Sequence, residues 1–228
     1  MAGSDRPRSP FAGLVGSSAS SGPRVLSHDQ IEEILAAHRL YVETERRRGR
    51  RADFGSADLA GLNFSGLNLR RAKMDRALLK GADFTRTRLQ RANLIGALLA
   101  HARLDSADLS SARLSGANLV SASLNNAILA RADMEFALMA NAALAGACLE
   151  AADMSGAILD AAVLTRANLR TTNLRGAYLR LTKLDGADLS GADLRATEGL
   201  TRAQLAGAHC DIDTKLPAAL SETDNGEG

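Results

Sequence analysis

The sequence contains no tryptophan, and aromatic residues make up 3% of its 228 positions. Domain cores usually draw much of their buried area from aromatic rings, so this chain fills its interior in another way. Cysteine is scarce as well. Cys148 and Cys210 form neither a metal spacing nor a disulfide framework, and read as reduced thiols of a cytosolic protein. No apolar run approaches the ~18 residues of a membrane span, so no membrane contact is expected. Residues 11–16 are too short and small-sided a stretch for a secretory signal core. Charge of one sign is also lacking: residues 1–51 sum to +3, residues 52–196 to +3 and residues 197–228 to −4. No segment is a strong polycation or polyanion.

What the chain has is a period. From Phe54 to Leu194 a Leu, Met or Phe recurs at every fifth position, 29 times without an insertion. These residues are called centres below. Two positions before each centre stands Ala, except at Leu62, Leu67, Thr87, Thr172 and Thr182. The position just before the centre is often Asp or Asn, as at Asp53, Asp58, Asn63, Asn68, Asp188 and Asp193. An α-helix turns about 100° per residue, so five residues advance a net ~140° and scatter the centres round every side. A strand points the Ala and its centre the same way but sends the next centre to the opposite face. Both conditions hold together if the backbone bends once per unit. Repeated bending coils the chain, and coils stacked at ~4.8 Å satisfy one another's backbone as parallel ladders do.

The residue before the centre also suggests the size of a coil. Bulky apolar residues stand there at Leu78, Leu98, Ile128, Leu138, Ile158, Val163 and Tyr178, and five of the seven share a register of twenty, interrupted by Asn118. Phe64 and Phe84 are twenty apart and can stack. Twenty residues are four units, hence a square cross-section, roughly seven coils and about 34 Å of rod. The expected core ladder includes Phe54, Phe64, Phe84, Leu94, Leu114, Leu144, Leu174 and Leu194. The fold class is an all-β solenoid occupying residues 52–197. Residues 1–26, rich in Ser, Gly, Pro and Arg, read as a disordered arm. Residues 27–51 read as a capping helix running to about Arg48, with Ser27 and Gln30 as a capping box and His38 at the edge of its apolar face. Residues 198–217 read as a C-terminal cap with a short helix over 201–208, and residues 218–228 as a disordered tail. Open solenoid ends expose core and strand edges, so caps are expected.

The stretch LDGADLSGADLRA at residues 184–196 displays the motif most plainly. It resembles the pentapeptide-repeat family, whose units centre on Ala-Asp/Asn-Leu, and the resemblance covers residues 52–196. It implies a right-handed quadrilateral β-helix. Some bacterial members bind DNA gyrase as acidic mimics of duplex DNA. The +3 sum of this solenoid and its lack of loop insertions depart from that pattern.

No catalytic constellation emerges. His28, His38, His101 and His209 are scattered, the glycines follow the five-residue frame and mark turns, and the recurring Asp residues read as turn and ladder acceptors. No cofactor and no metal is called for. Arg71, Arg91 and Arg131 share a register, but the basic excess is small and aromatics for base stacking are few, so direct nucleic-acid binding is not expected. The sharpest candidate is an outer apolar stripe of Leu78, Leu98, Leu138, Ile158 and Tyr178, flanked by Val120, Ala140 and Phe136, and about 24 Å long at ladder spacing. A contiguous exposed apolar patch marks an interface. The alternative is a wall half covered by its own neighbours. The resulting expectation is a non-enzymatic binding scaffold that docks a protein partner or a second copy of itself, with a gyrase or topoisomerase modulator as the alternative.

Overall fold

In the unit around Phe54, the Phe54 N–H donates to Lys73 O at 2.7 Å, and the Ser56 N–H donates to Asp75 O at 2.9 Å. The Ala57 N–H closes a turn on Phe54 O at 3.0 Å, and one coil on, the Lys73 N–H reaches back to Ala52 O at 2.9 Å. The same four bonds recur through the stack. Each position before a centre bridges, in parallel, the residue twenty ahead, from Asp53↔Lys73 to Asn173↔Asp193. The structure, a computed structural model, describes residues 22–221.

The fifth N–H of a unit, just after the centre, is left over, and the side chain before the centre takes it. Asp53 Oδ1 accepts from Gly55 N–H at 3.0 Å, Asn63 Oδ1 from Ser65 at 2.8 Å and Asp188 Oδ1 from Ser190 at 3.0 Å. This is an Asx turn, and it is why Asp and Asn recur with the period. In other units an Asp or Asn one coil below supplies the acceptor, as Asp105 does for Asn125 N–H at 3.1 Å.

The corner itself demands a left-handed residue two after each centre. At all 29 of these positions φ is positive, between 53° and 71°, and nineteen are not glycine. Thr171, β-branched at φ 53°, is the most strained type among them.

Inside, the eight core-ladder residues from Phe54 to Leu194 are buried to within 1% of full exclusion, as is nearly every Ala two before a centre. The Phe64 and Phe84 rings stack at 5.0 Å, with Phe54 next in line at 6.0 Å. Three inward Thr residues replace Ala without stranding a polar group: Thr87, Thr172 and Thr182 hydroxyls donate to the carbonyls of Phe64, Leu149 and Leu159 at 2.7–2.8 Å. Each buried Leu contributes about 1.5–3 kcal/mol, and the narrow column leaves no room for larger rings to add more.

The helix α1 spans His28–Glu43 and carries the expected capping box between Ser27 and Gln30. It ends short of the expected Arg48. The Thr44 hydroxyl bonds Leu40 O at 2.7 Å and accepts from Arg48 N–H at 2.9 Å, while Glu45 and Arg46 adopt positive φ. The chain then folds back so that Arg50 N–H meets Ala37 O at 3.1 Å. Leu26, Ile31, Ile34 and Leu35 pack against the core. The part of the expected arm that is described is ordered: Arg24 bridges Ala57 in parallel, because that strand edge is otherwise bare. Residues 1–21 lie outside the described residues. At the other end α2, Arg202–Ala206, is capped by Thr201 and Gln204, and Gln204 Nε2 donates to Leu179 O and Thr182 O at 2.8 and 2.9 Å. Asp188↔His209 and Asp193↔Lys215 carry the ladders past the last unit. Ala218–Ser221, placed by sequence in a disordered tail, forms a short helix α3, and residues 222–228 lie outside the described residues.

His38 is fully buried instead of standing at the face's edge. Its Nδ1 accepts the Ala52 N–H at 3.0 Å, so the neutral ring carries its proton on Nε2, which has no partner among the described residues. Burial, and after it the charge of Arg51, lowers its pKa below the ordinary 6.5. The Tyr41 ring stacks on it at 5.8 Å. The unfolded chain therefore binds this proton at a higher pH than the folded one, so stability is full above pH 6.5 and falls as pH drops below it. A melting series from pH 7.5 to pH 5 is expected to show that decline, with a shallower slope in His38→Gln. A Cβ on Gly49, at φ 73°, would lie 2.2 Å from Ala37 O and 2.6 Å from Tyr41 N. Gly49→Ala is therefore expected to cost about 3 kcal/mol and to speed amide hydrogen exchange in α1 before the solenoid is affected.

Candidate interaction surface

The side chain before each centre points outward, so every fourth unit contributes to one outer face. The stripe residues share such a ladder: Asp58, Leu78, Leu98, Asn118, Leu138, Ile158, Tyr178 and Glu198 pair in sequence. Leu98 is 44% exposed, while Leu78, Leu138, Ile158 and Tyr178 are half-buried. Val120 stands half-buried at the corner after this face. Phe136, at the corner before it, is 53% exposed, and its ring lies where a Cβ on Gly156 would come within 2.6 Å. The glycine leaves the space that the ring occupies.

Units without Asp or Asn before the centre can lack the turn acceptor on any face, as at Lys73, Arg88, Arg113, Ile128 and Val163, and most units of the stripe are among them. Asn118, its one polar member, bonds Val120 N–H at 3.1 Å in the usual Asx manner. At Leu78, Leu98, Leu138 and Ile158 no such acceptor exists, and the N–H groups of Lys80, Ala100, Ala140 and Asp160 have no partner among the described residues. An Asp or Asn at any of these positions would satisfy one more backbone donor, a gain of about 1 kcal/mol. The apolar residues forgo it along a single face, two on each side of Asn118.

The other faces are polar and locally neutralised. Lys73–Asp53, Arg103–Asp83, Arg170–Asp188 and Arg180–Asp160 pair across coils at 3.2–3.3 Å. Arg195 grips Asp193 at 2.6 Å and, ahead of the Arg195 backbone N–H, holds that carboxyl down at a pKa of about 2. Arg71, Arg91 and Arg131 occupy corners of one edge, with Ser111 between the last two, and form no ion pair among the described residues. No cluster of three or more His, Cys, Asp or Glu among the described residues could hold a metal ion, and no helix among them is long and apolar enough to cross a membrane. Sequence reasoning did not single out three features: the exposed Leu40 and Leu67 beside α1, the bare strand edge of the first coil, and the fully exposed Ile212. Leu67 alone carried a signal, as a large residue at an Ala position.

A parallel ladder closing every twenty residues, with four inward pairs per coil and a left-handed residue at each corner, defines a four-sided β-helix. The chain belongs to the pentapeptide repeat family: the family model, described as pentapeptide repeats, matches in eight copies over residues 50–86, 87–126, 117–156 and 157–197. The fold is accordingly the right-handed quadrilateral β-helix of that family. Among solved structures, the chain is similar to a pentapeptide repeat protein of the Arabidopsis thaliana thylakoid lumen at 35% identity, covering 44% of this chain and 66% of that one, with a TM-score of 0.34. HetL of the cyanobacterium Nostoc, involved in regulating heterocyst differentiation, is 33% identical over 73% of this chain and 80% of its own, with a TM-score of 0.22. QnrB1, a plasmid-mediated fluoroquinolone resistance protein, is 17% identical over 68% and 92%, with a TM-score of 0.48. Comparison with curated proteins finds no match.

Asp153 tests the turn rule most directly, since its Oδ1 accepts from Ser155 N–H at 3.0 Å, Ser155 Oγ at 2.7 Å and Asn173 Nδ2 at 2.9 Å. Asp153→Ala is expected to destabilise by about 1–3 kcal/mol, and Asp153→Asn by less, as read from denaturant midpoints. Equal losses would place the effect elsewhere than in the acceptor.

Proposed function

We propose that this chain is a bacterial cytosolic binding scaffold without catalytic turnover, which holds a protein partner or a second copy of itself along the stripe of Leu78, Leu98, Val120, Phe136, Leu138, Ile158 and Tyr178. In this reading the rod is about seven coils over residues 52–197. Residues 27–51 and 198–217 close its ends. The observation that carries the reading is the outward ladder of Leu78, Leu98, Leu138, Ile158 and Tyr178 on one face, four of whose units also leave the turn N–H without an acceptor among the described residues. Apolar side chains held outside the core at a cost in stability mark a candidate functional surface.

The alternative, an acidic DNA mimic acting on gyrase or topoisomerase, needs a continuous negative face. The register richest in Asp, from Asp53 to Asp193, also contains Lys73 and Arg113, which argues against it.

The stripe reading makes two measurements move in opposite directions. In Leu98→Asp/Leu138→Asp, the new carboxylates are placed to accept from Ala100 and Ala140 N–H, so thermal stability is expected to hold or rise by about 1 kcal/mol per site. Self-association by sedimentation, or capture of a partner by the intact chain, is expected to be lost. Unchanged association with raised stability would reduce the stripe to a wall.

A further inference from the structure

The first coil has no coil beneath it. Elsewhere in the stack the N–H before each centre donates to the coil on its N-terminal side. For Asp58 that place is filled by Arg24, whose carbonyl accepts at 2.9 Å and whose own N–H donates to Ser56 O at 2.8 Å. On the next two faces it is not filled: the N–H groups of Asn63 and Asn68, and the carbonyls of Asn63, Ser65 and Asn68, have no hydrogen-bond partner among the described residues. Asn63 and Asn68 border a groove of about 790 Å³ between α1 and the first coil. Its apolar wall includes Leu35, Leu40, Val42 and Leu67, with Leu40 41% and Leu67 36% exposed. Where this edge reaches the next corner, a smaller pocket of about 220 Å³ is lined by Tyr41, Arg46, Arg70 and Arg71, with Glu45 as its one carboxylate. None of these three arginines belongs to an ion pair among the described residues.

Bare backbone groups on a strand edge template an added strand. Every ladder in the stack is parallel, the one made by Arg24 included. A strand added in the same sense along residues 63–71 begins beside Asn63, lays alternate side chains toward Leu35, Leu40 and Leu67, and ends at a pocket where three arginines face one carboxylate. Arginine forks fit carboxylates in pairs of hydrogen bonds. We propose that this groove binds an extended peptide segment of a protein partner, apolar first and acidic at its C-terminal side. The site lies at the N-terminal end of the rod, on faces other than the stripe's, and stands independently of the scaffold reading.

The test uses the full chain and a fluorescein-labelled peptide of alternating Val and Thr followed by two Asp, with fluorescence anisotropy as readout. Binding is expected, weakened at least about tenfold in Arg70→Glu/Arg71→Glu, and unchanged in Leu98→Asp/Leu138→Asp. Arg70→Gln/Arg71→Gln replaces the first variant if its circular dichroism shows misfolding. Order-reversed and alternately N-methylated peptides are expected to bind at least about tenfold more weakly, since they lose direction and edge pairing. The proposal is overturned if the labelled peptide does not bind, or if the reversed peptide binds equally. It is overturned too if binding needs removal of residues 1–21, because the groove would then belong to the chain's own N-terminal residues. Tighter binding of a labelled oligonucleotide, abolished by the same arginine changes, would make it a phosphate site instead.

Discussion

One constraint governs this molecule: a side chain at every fifth position must enter the same narrow column, and the backbone must turn a corner between one and the next. Everything else follows from it. The column admits Leu, Met or Phe beside Ala and little more, so the core is built without tryptophan. The corner imposes a positive φ two residues after each centre, whatever residue stands there. The turn leaves one N–H per unit without a backbone acceptor, and Asp or Asn before the centre satisfies it. Composition, conformation and hydrogen bonding are thus three consequences of one geometric requirement.

Much of this was legible in the sequence because a period is a long-range signal. Five is incompatible with a straight helix and with a straight strand, so the bend was implied. The coil size followed from Leu78, Leu98, Leu138, Ile158 and Tyr178 sharing one register, and the stacked Phe64 and Phe84 agreed with it. Outside the repeat, reading was shorter-sighted. The capping box at Ser27 was visible from two residues, whereas the helix end was not, because Thr44 and the reversal at Gly49 act through tertiary contacts. The burial of His38 is likewise a matter of what Ala52 needs, fourteen residues away. The bare edge at Asn63 and Asn68 is invisible in the chain, since those residues look like any other unit until the coil below them is missing.

The surface can be read as departures from the rule that builds it. A unit with Asp or Asn before its centre is locally complete. A unit with Leu or Ile there leaves an N–H open and an apolar side chain outside, and four of the five such units lie on one face, two on each side of Asn118. At the N-terminal end the departure is of another kind: Arg24 completes the ladder on one face, and two faces stay incomplete beside an apolar groove. Both places set unmet backbone donors beside exposed apolar side chains, which is what a binding surface can use.

Register is the central claim, and deletion tests it most directly. Removing residues 105–124 takes out one coil and leaves every centre in its column, whereas removing residues 105–122 shifts all later centres out of theirs. The account predicts that the first variant unfolds cooperatively with a native-like circular dichroism spectrum per residue, and that the second does not fold. A second variant as stable and as ordered as the first would contradict it.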